Sequence, residues 1–313
     1  MAPSVPRALR EAVVAADAYD LDLGSPGSHR GVPSTTVTVV LPLGDPLDVA
    51  WLDERGSRRR AWSVVAGLHV RPAVLRHDGR MRGLQVSLTP WGARMLLGVP
   101  AGEMSGLLLG LDDLAPSLRT LPERVADAAA TGLPGAGRTA ATSVVHQVLL
   151  DAIVRGGAPP VQPAARRALA LLASGVPAAA AARELGCSRR RLHGLVRAET
   201  GLSPTQYRRV ARFQRARALL VAQRGGGSRP SGLADVAVRS GFADQAHLTR
   251  EFVALAGCPP SVWLREEFPF LQDPASRAEE AETDPARPGP APRGPSDRGG
   301  RDGRRTVVEP DVP

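Results

Sequence analysis

The feature that most constrains this chain is a repeat. Sliding the sequence by 56 positions places Leu192 on Leu248, Val196 on Phe252, Gly201 on Gly257, Pro204 on Pro260 and Tyr207 on Trp263. Apolar, glycine and proline positions coincide at one offset, so one supersecondary unit occurs twice. Whatever else the chain builds, this part must bury two similar apolar faces side by side.

Each copy has the grammar of helix, short turn, helix. In the first, Ala178 to Leu185 is rich in strong helix formers, Gly186 suits a left-handed turn, and Ser188 can cap a second helix that buries Leu192, Leu195 and Val196. In the second, Leu233 to Arg239 is the first helix, Gly241-Phe242 the turn, and Asp244 the cap of a helix burying Leu248, Phe252 and Leu255. Between the copies, Ser203, Pro204 and Gln206 supply an N-cap, a first-turn proline and a capping-box partner. The stripe Tyr207, Val210, Phe213, Leu219 and Leu220 carries that helix to about Gln223. Twenty or so residues rise about 30 Å, close to the roughly 34 Å turn of B-DNA, so two recognition helices held this way suit successive major-groove segments on one face of a duplex.

Charge follows the repeat. The chain of 313 residues has a formal charge of +9, and all 40 of its basic side chains are arginine. Between 164 and 268 seventeen arginines face seven carboxylates, so this segment alone carries the excess. That is the electrostatic footprint of a polyanion binder.

The rest reads differently. Residues 30 to 90 alternate short apolar runs (Thr35 to Leu43, Leu47 to Leu52, Ala61 to Val70, Ala73 to His77, Leu84 to Leu88) with Gly, Pro and Asp breaks, and His77-Asp78-Gly79-Arg80 has the composition of a hairpin turn. Helical periodicity follows near 91–98, 116–130 and 138–155. In the last of these, Val144, Val145, Val148, Leu149 and Ile153 form a stripe that suits a core face or a dimer seam equally. The expected organisation is a mainly β domain with flanking helices over 1–155, a GGAPPVQP linker at 156–163, an all-α domain over 164–268, and a tail over 273–313 too poor in large apolar residues to fold. The whole is α+β.

The segments RELGCSRRRLHGLVRAETGLSPTQYRRVARFQRARALL and ADVAVRSGFADQAHLTREFVALAGCPPSVW resemble the double helix-turn-helix domain of AraC/XylS-type transcription factors, over about a third of the chain. The resemblance implies sequence-specific binding of double-stranded promoter DNA over about 20 base pairs, with no enzymatic activity and no cofactor. By position it places the groove-facing residues at Arg190, His193 and Gly194 in the first motif and Gln245, His247 and Arg250 in the second. Gly194 departs from the basic residue often found there, and Arg189 and Arg197, on the same helical face as His193, are candidates to compensate. Arg reads guanine and Gln adenine through paired hydrogen bonds. The resemblance further implies an N-terminal sensing or dimerising domain, often a small cupin-like β-barrel. A small-molecule effector, RNA polymerase and a second copy of the chain are the partners it suggests.

Three rival readings are weighed against this one. A metal-binding or enzymatic cupin would use His29, His69 and His77 as ligands, but the expected His-x-His spacing is absent. A DNA-repair methyltransferase needs an N-terminal cysteine cluster, whereas the two cysteines, Cys187 and Cys258, both lie in the repeat region. An architectural protein that binds DNA without sequence preference shares the charge but does not need two capped motifs at fixed spacing. The N-terminal stretch lacks the apolar core of a secretory leader and no apolar run is long enough for a membrane helix, so the expected location is the cytoplasm, away from membranes.

Overall fold

The computed structural model describes residues 3–130, 136–155, 162–224 and 232–271. Most of the expected linker and the whole expected tail lie outside the described residues.

The N-terminal half opens with nine strands: β1 (Val13–Asp22), β2 (Gly27–Gly31), β3 (Val37–Pro42), β4 (Leu47–Trp51), β5 (Glu54–Ala61), β6 (Val64–Ala66), β7 (Ala73–His77), β8 (Arg80–Leu88) and, after a helix, β9 (Leu108–Leu109). They form two antiparallel sheets, ordered β1-β8-β3-β6-β9 and β2-β7-β4-β5. The sheets face each other across a small apolar cluster of Val40, Leu47, Val49, Trp51, Val64 and Ala73, but they do not close into the barrel that the resemblance suggests. The four-stranded sheet ends at β5, whose ERGSRRRA sequence has no apolar face to offer a further strand.

Residues 77–80 correct the hairpin expectation. β7 pairs with β2 and β4, whereas β8 pairs with β1 and β3. The turn therefore carries the chain from one sheet to the other. Gly79, at φ 116°, makes the corner, and its carbonyl accepts a 2.7 Å hydrogen bond from the Leu23 amide in the parallel corner between β1 and β2. The tight Asp-Gly chemistry is real, but the partner strands decide what it joins.

Helices α1 (Pro90–Leu97), α2 (Leu111–Leu114), α3 (Leu121–Ala130) and α4 (Ala136–Arg155) cover the five-stranded sheet. The helix expected over 116–130 is split into a single 3₁₀ turn at Pro116–Leu118 and α3. In α4, Val145, Val148 and Leu149 are buried and Val144 and Ile153 half-buried in the main core, so this stripe is interior.

The C-terminal region is helical throughout: α5 (Pro163–Ala173), α6 (Ala178–Glu184), α7 (Arg189–Thr200), α8 (Pro204–Arg224), α9 (Leu233–Ser240), α10 (Gln245–Ala256) and α11 (Pro260–Leu271). The two motifs are α6–α7 and α9–α10, joined through α8. The core is not shared evenly between them. Leu192 and Val196 of the first motif belong to the large cluster that runs back through α5, α4, α1 and the five-stranded sheet. The second motif has a separate core, built on Phe213, Phe242, Phe252 and Trp263, with the Phe213 and Phe252 rings 4.7 Å apart.

Candidate nucleic-acid interface

The second helix of each motif, α7 and α10, is delimited as the sequence expects. Ser188 Oγ accepts the Arg191 amide at 3.1 Å to start α7, and Asp244 Oδ1 accepts the His247 amide at 2.6 Å to start α10. These two caps are themselves 56 residues apart. Each helix ends at a left-handed glycine, Gly201 at φ 71° and Gly257 at φ 75°, whose amide returns to the carbonyl of Arg197 or Val253. On α8 the capping box is reciprocal: Gln206 N donates to Ser203 Oγ at 3.2 Å, and Ser203 N donates to Gln206 Oε1 at 2.9 Å. Over its 21 residues α8 rises about 31 Å.

The buried and exposed faces separate cleanly on both helices. Leu192 and Val196, then Leu248, Phe252 and Leu255, are buried, while Leu195 is only half-buried. Arg189, Arg190, His193, Gly194 and Arg197 are exposed on α7, as are Gln245 and Arg250 on α10. Among the described residues none of the arginines at 189, 190, 197 and 250 makes an ion pair, which leaves their guanidinium forks available to a polyanion. His247 is half-buried, with Nδ1 3.4 Å from the Ala243 amide and its ring edge-on to Phe242 at 5.3 Å. Its role within the protein is to brace the turn.

Residues 181–266 match the model of a family described as a helix-turn-helix domain. This segment is an AraC-type helix-turn-helix domain. A domain of this type supports a DNA-binding transcription regulator. No curated protein sequence matches the chain. Among solved structures it is similar to an apo form of a ToxT variant from Vibrio cholerae, at TM-score 0.50 and 12% identity over 82% of this chain and 98% of that one. ToxT from Vibrio cholerae O395 matches at TM-score 0.48 and 11% identity, over 85% and 99%. ToxT with a bound unsaturated fatty acid matches at TM-score 0.46 and 12% identity, over 81% and 95%. At these identities the likeness concerns the fold.

The N-terminal half holds the AraC-type domain at equivalent points of the two motifs. At the end of α7, the loop after α1 comes so close that a Cβ on Gly102 would lie 2.5 Å from the Ala198 carbonyl oxygen, and Arg94 pairs with the buried Glu199 at 3.2 Å. At the end of α10, Gly257 packs against Leu52 and Pro72, and Arg30 donates to the Ala256 carbonyl at 3.3 Å while pairing with Glu266 at 2.5 Å. Between these points, Thr35 donates through both its amide and its hydroxyl to Gln214 Oε1 on α8, each at 3.0 Å.

A cavity of about 340 Å³ opens between the two sheets, and the AraC-type domain forms part of its wall through Gln214, Arg217 and Glu267. Its walls mix apolar side chains, Val40, Val49, Trp51 and Leu75, with polar ones, Thr36, Thr38, Gln85 and Ser87. Its polar end is unusual. The Arg217 guanidinium makes no hydrogen bond or ion pair with the described residues, its Nε is buried without a partner, and its contacts are the rings of Trp263 at 5.2 Å and Phe213 at 5.9 Å. Burial pushes its pKa below the usual value, with nearby Glu267 offsetting part of the effect. Burial raises the Glu267 carboxyl to about 7 and lowers His29 to about 4. His29 Nδ1 and Glu267 Oε2 are 3.6 Å apart. At neutral pH the imidazole is neutral, and the partly ionised Glu267 carboxyl balances Arg217 only in part.

The three histidines considered as metal ligands do not converge. His29 and His69 line the cavity, where His69 Nδ1 contacts the Arg71 carbonyl at 2.6 Å and the ring lies 4.8 Å from Trp51. His77 lies in a different groove, beside Tyr19 and Arg80. Among the described residues no group of three metal-ligating side chains forms, and no helix is long and apolar enough to cross a membrane. Sequence reasoning missed Arg217, Gln214 and Glu267. On α8, Arg217 is one of six arginines by sequence, and only the fold shows which of them turns inward.

Proposed function

We propose that this regulator binds promoter DNA sequence-specifically, over about 20 base pairs, with α7 and α10 entering successive major-groove segments. The observation that carries the reading is the pair of capped helices at fixed spacing, each presenting unpaired polar side chains outward: Arg189, Arg190, His193 and Arg197 on one, Gln245 and Arg250 on the other. His247 contributes through the turn it braces. On this reading residues 164–268 are the DNA-reading unit and residues 1–155 the sensing unit, acting inside the cell on transcription by RNA polymerase.

The sensing unit takes its effector in the cavity between the sheets. A guanidinium held away from water with its charge only partly offset is costly, and a chamber with such a group beside apolar walls suits a small amphipathic anion. A ligand bound there touches α8 and α11 directly, so its binding energy differs between domain arrangements and shifts their populations. In a thermal-shift series with aliphatic carboxylates, the wild type is expected to gain stability and the Arg217→Met variant to show no response.

For the DNA reading itself, fluorescence anisotropy compares DNA from upstream of the gene with a scrambled duplex of equal length across a salt series. A preference of roughly a thousandfold that survives rising salt supports the reading. Equal, steeply salt-sensitive binding to both duplexes, with no motif enriched from a random DNA pool, replaces it with an architectural role.

A further inference from the structure

The joining helix α8 carries a charge that the protein does not neutralise. Arg208, Arg212 and Arg215 lie at helical spacing on one face, beside Arg209, and with Arg239 of α9 they line a groove of about 630 Å³ between the two motifs. Among the described residues Glu251 is the one acidic side chain lining it. Arg209 Nε already pairs with Glu251 at 2.7 Å.

Arg239 pairs with Asp235 at 3.5 Å, and the remaining three arginines cap helix ends. Arg208 donates to the Gly175 carbonyl at 3.1 Å and Arg215 to the Ala173 carbonyl at 2.8 Å, at the end of α5. Arg212 and Arg215 reach the Gly241 and Ser240 carbonyls at 3.4 Å, at the end of α9. A helix C-terminus offers about half a negative charge, so two helix ends and two carboxylates leave five arginines positive by roughly two. The hydrogen bonding is incomplete as well, because Nε of Arg208, Arg212 and Arg215 has no partner. Burial pushes the Arg212 pKa down, opposed by Glu251 and reinforced by the neighbouring Arg208, Arg215 and Arg209.

We infer that this groove is a third DNA-contact surface, in which Arg208, Arg212 and Arg215 hold backbone phosphates of the segment between the two elements read by α7 and α10. The inference rests on the DNA-reading role proposed above. Two helices in adjacent major-groove segments leave one minor groove, with its two rows of phosphates, facing whatever joins them, and here that is α8. Glu251, the groove's one acid among the described residues, adjoins Arg250 on α10. The surface therefore borders the recognition helix and has no base-reading role of its own. It sets affinity and spacing.

The test compares wild type with the Arg208→Gln/Arg212→Gln double variant. Glutamine keeps an N–H donor for the Gly175 and Gly241 carbonyls while removing the charge. The slope of log affinity against log salt is expected to fall by about 2, roughly 0.9 for each lost phosphate contact, with weakening equal on all sequences and base preference unchanged. A second arm needs no variant: uncharged methylphosphonate linkages placed midway between the two elements should weaken wild-type binding at least tenfold, and the same linkages outside the elements should weaken it less. An unchanged salt slope together with indifference to the central linkages overturns the inference while leaving the recognition helices in place. Stabilisation of wild type by inorganic pyrophosphate, lost in the double variant while the DNA slope is unchanged, reassigns the groove to a free anion. Failure of wild type to bind any DNA removes the reading on which the inference stands.

Discussion

The two motifs share one grammar but not one foundation. The first is continuous with the body of the protein: Leu192, Val196, Leu202 and Tyr207 lie in the same apolar cluster as Leu9, Val86 and Val145. The second closes on its own aromatic cluster and meets the N-terminal half through fewer side chains, apolar ones at Val32, Val70, Leu52 and Pro72 and polar ones where Arg30 pairs with Glu266 and His29 lies beside Glu267. Apolar packing lost over many side chains costs far more than a few partly exposed polar contacts. The comparison teaches that α7 shares one continuous core with the N-terminal half, whereas α10 stands on a core of its own beside the cavity.

The largest expected effect breaks the comparison at its base. Trp263→Ala should cost about 3–5 kcal/mol and loosen α9–α11 ahead of the rest, giving a second transition in calorimetry. Leu192→Ala, at about 2–5 kcal/mol, should lower a single transition shared with the sheets. Two separable transitions in both variants, or in neither, would show that the cores are equally joined.

The next effect is on pH. Glu267 is held up at about 7 from an ordinary 4.5, so the folded chain binds this proton more tightly than the unfolded chain, and stability falls as pH rises from about 4.5 to about 7. His29 and His69, lowered to about 4 from 6.5, act oppositely: the stability they permit is present above about 6.5 and is lost as pH falls towards 4. Glu267→Gln should remove the first slope and keep the second, gaining about 3 kcal/mol at pH 8 relative to pH 5. Denaturant melts across pH 4–8 read this directly, and an unchanged upper slope would contradict the burial of this carboxyl.

Gly102→Ala sharpens the comparison from the other side. Gly102 needs no positive φ, so its methyl group acts only by meeting the Ala198 and Arg197 carbonyl oxygens at 2.5 and 2.8 Å. The cost is expected at about 1–3 kcal/mol, with faster hydrogen exchange at the end of α7 and none of that change at α10. For DNA reading, Arg250→Ala should lower discrimination at one base pair by about 1–3 kcal/mol. Arg209→Ala, which frees Glu251 beside the DNA, should weaken all sequences alike.

Much of the helical half was legible because its instructions are local: Ser188, Asp244 and the Ser203–Gln206 box are caps that act within one turn, and the glycines at 201 and 257 end helices by their own conformation. The N-terminal half was less so. β1 reads as an acidic stretch, VVAADAYDLD, and β5 as a charged one, yet both are strands because β8 and β4 offer backbone partners. The Asp78-Gly79 turn has hairpin chemistry but joins two sheets, a choice made by strand pairing across some fifty residues. The exposed candidate residues follow from helical phase. The cavity does not: Arg217 and Glu267 become a site only when α8 and α11 are laid against β2, and no local pattern encodes that approach.

The most direct test of the central claim is selection of bound sequences from a random DNA pool by the wild type and by the Arg190→Ala and Arg250→Ala variants. The account predicts one asymmetric site of two elements about one helical turn apart, with each variant relaxing preference in a different element. Relaxation of the same element by both variants, or enrichment of no motif by the wild type, would contradict it.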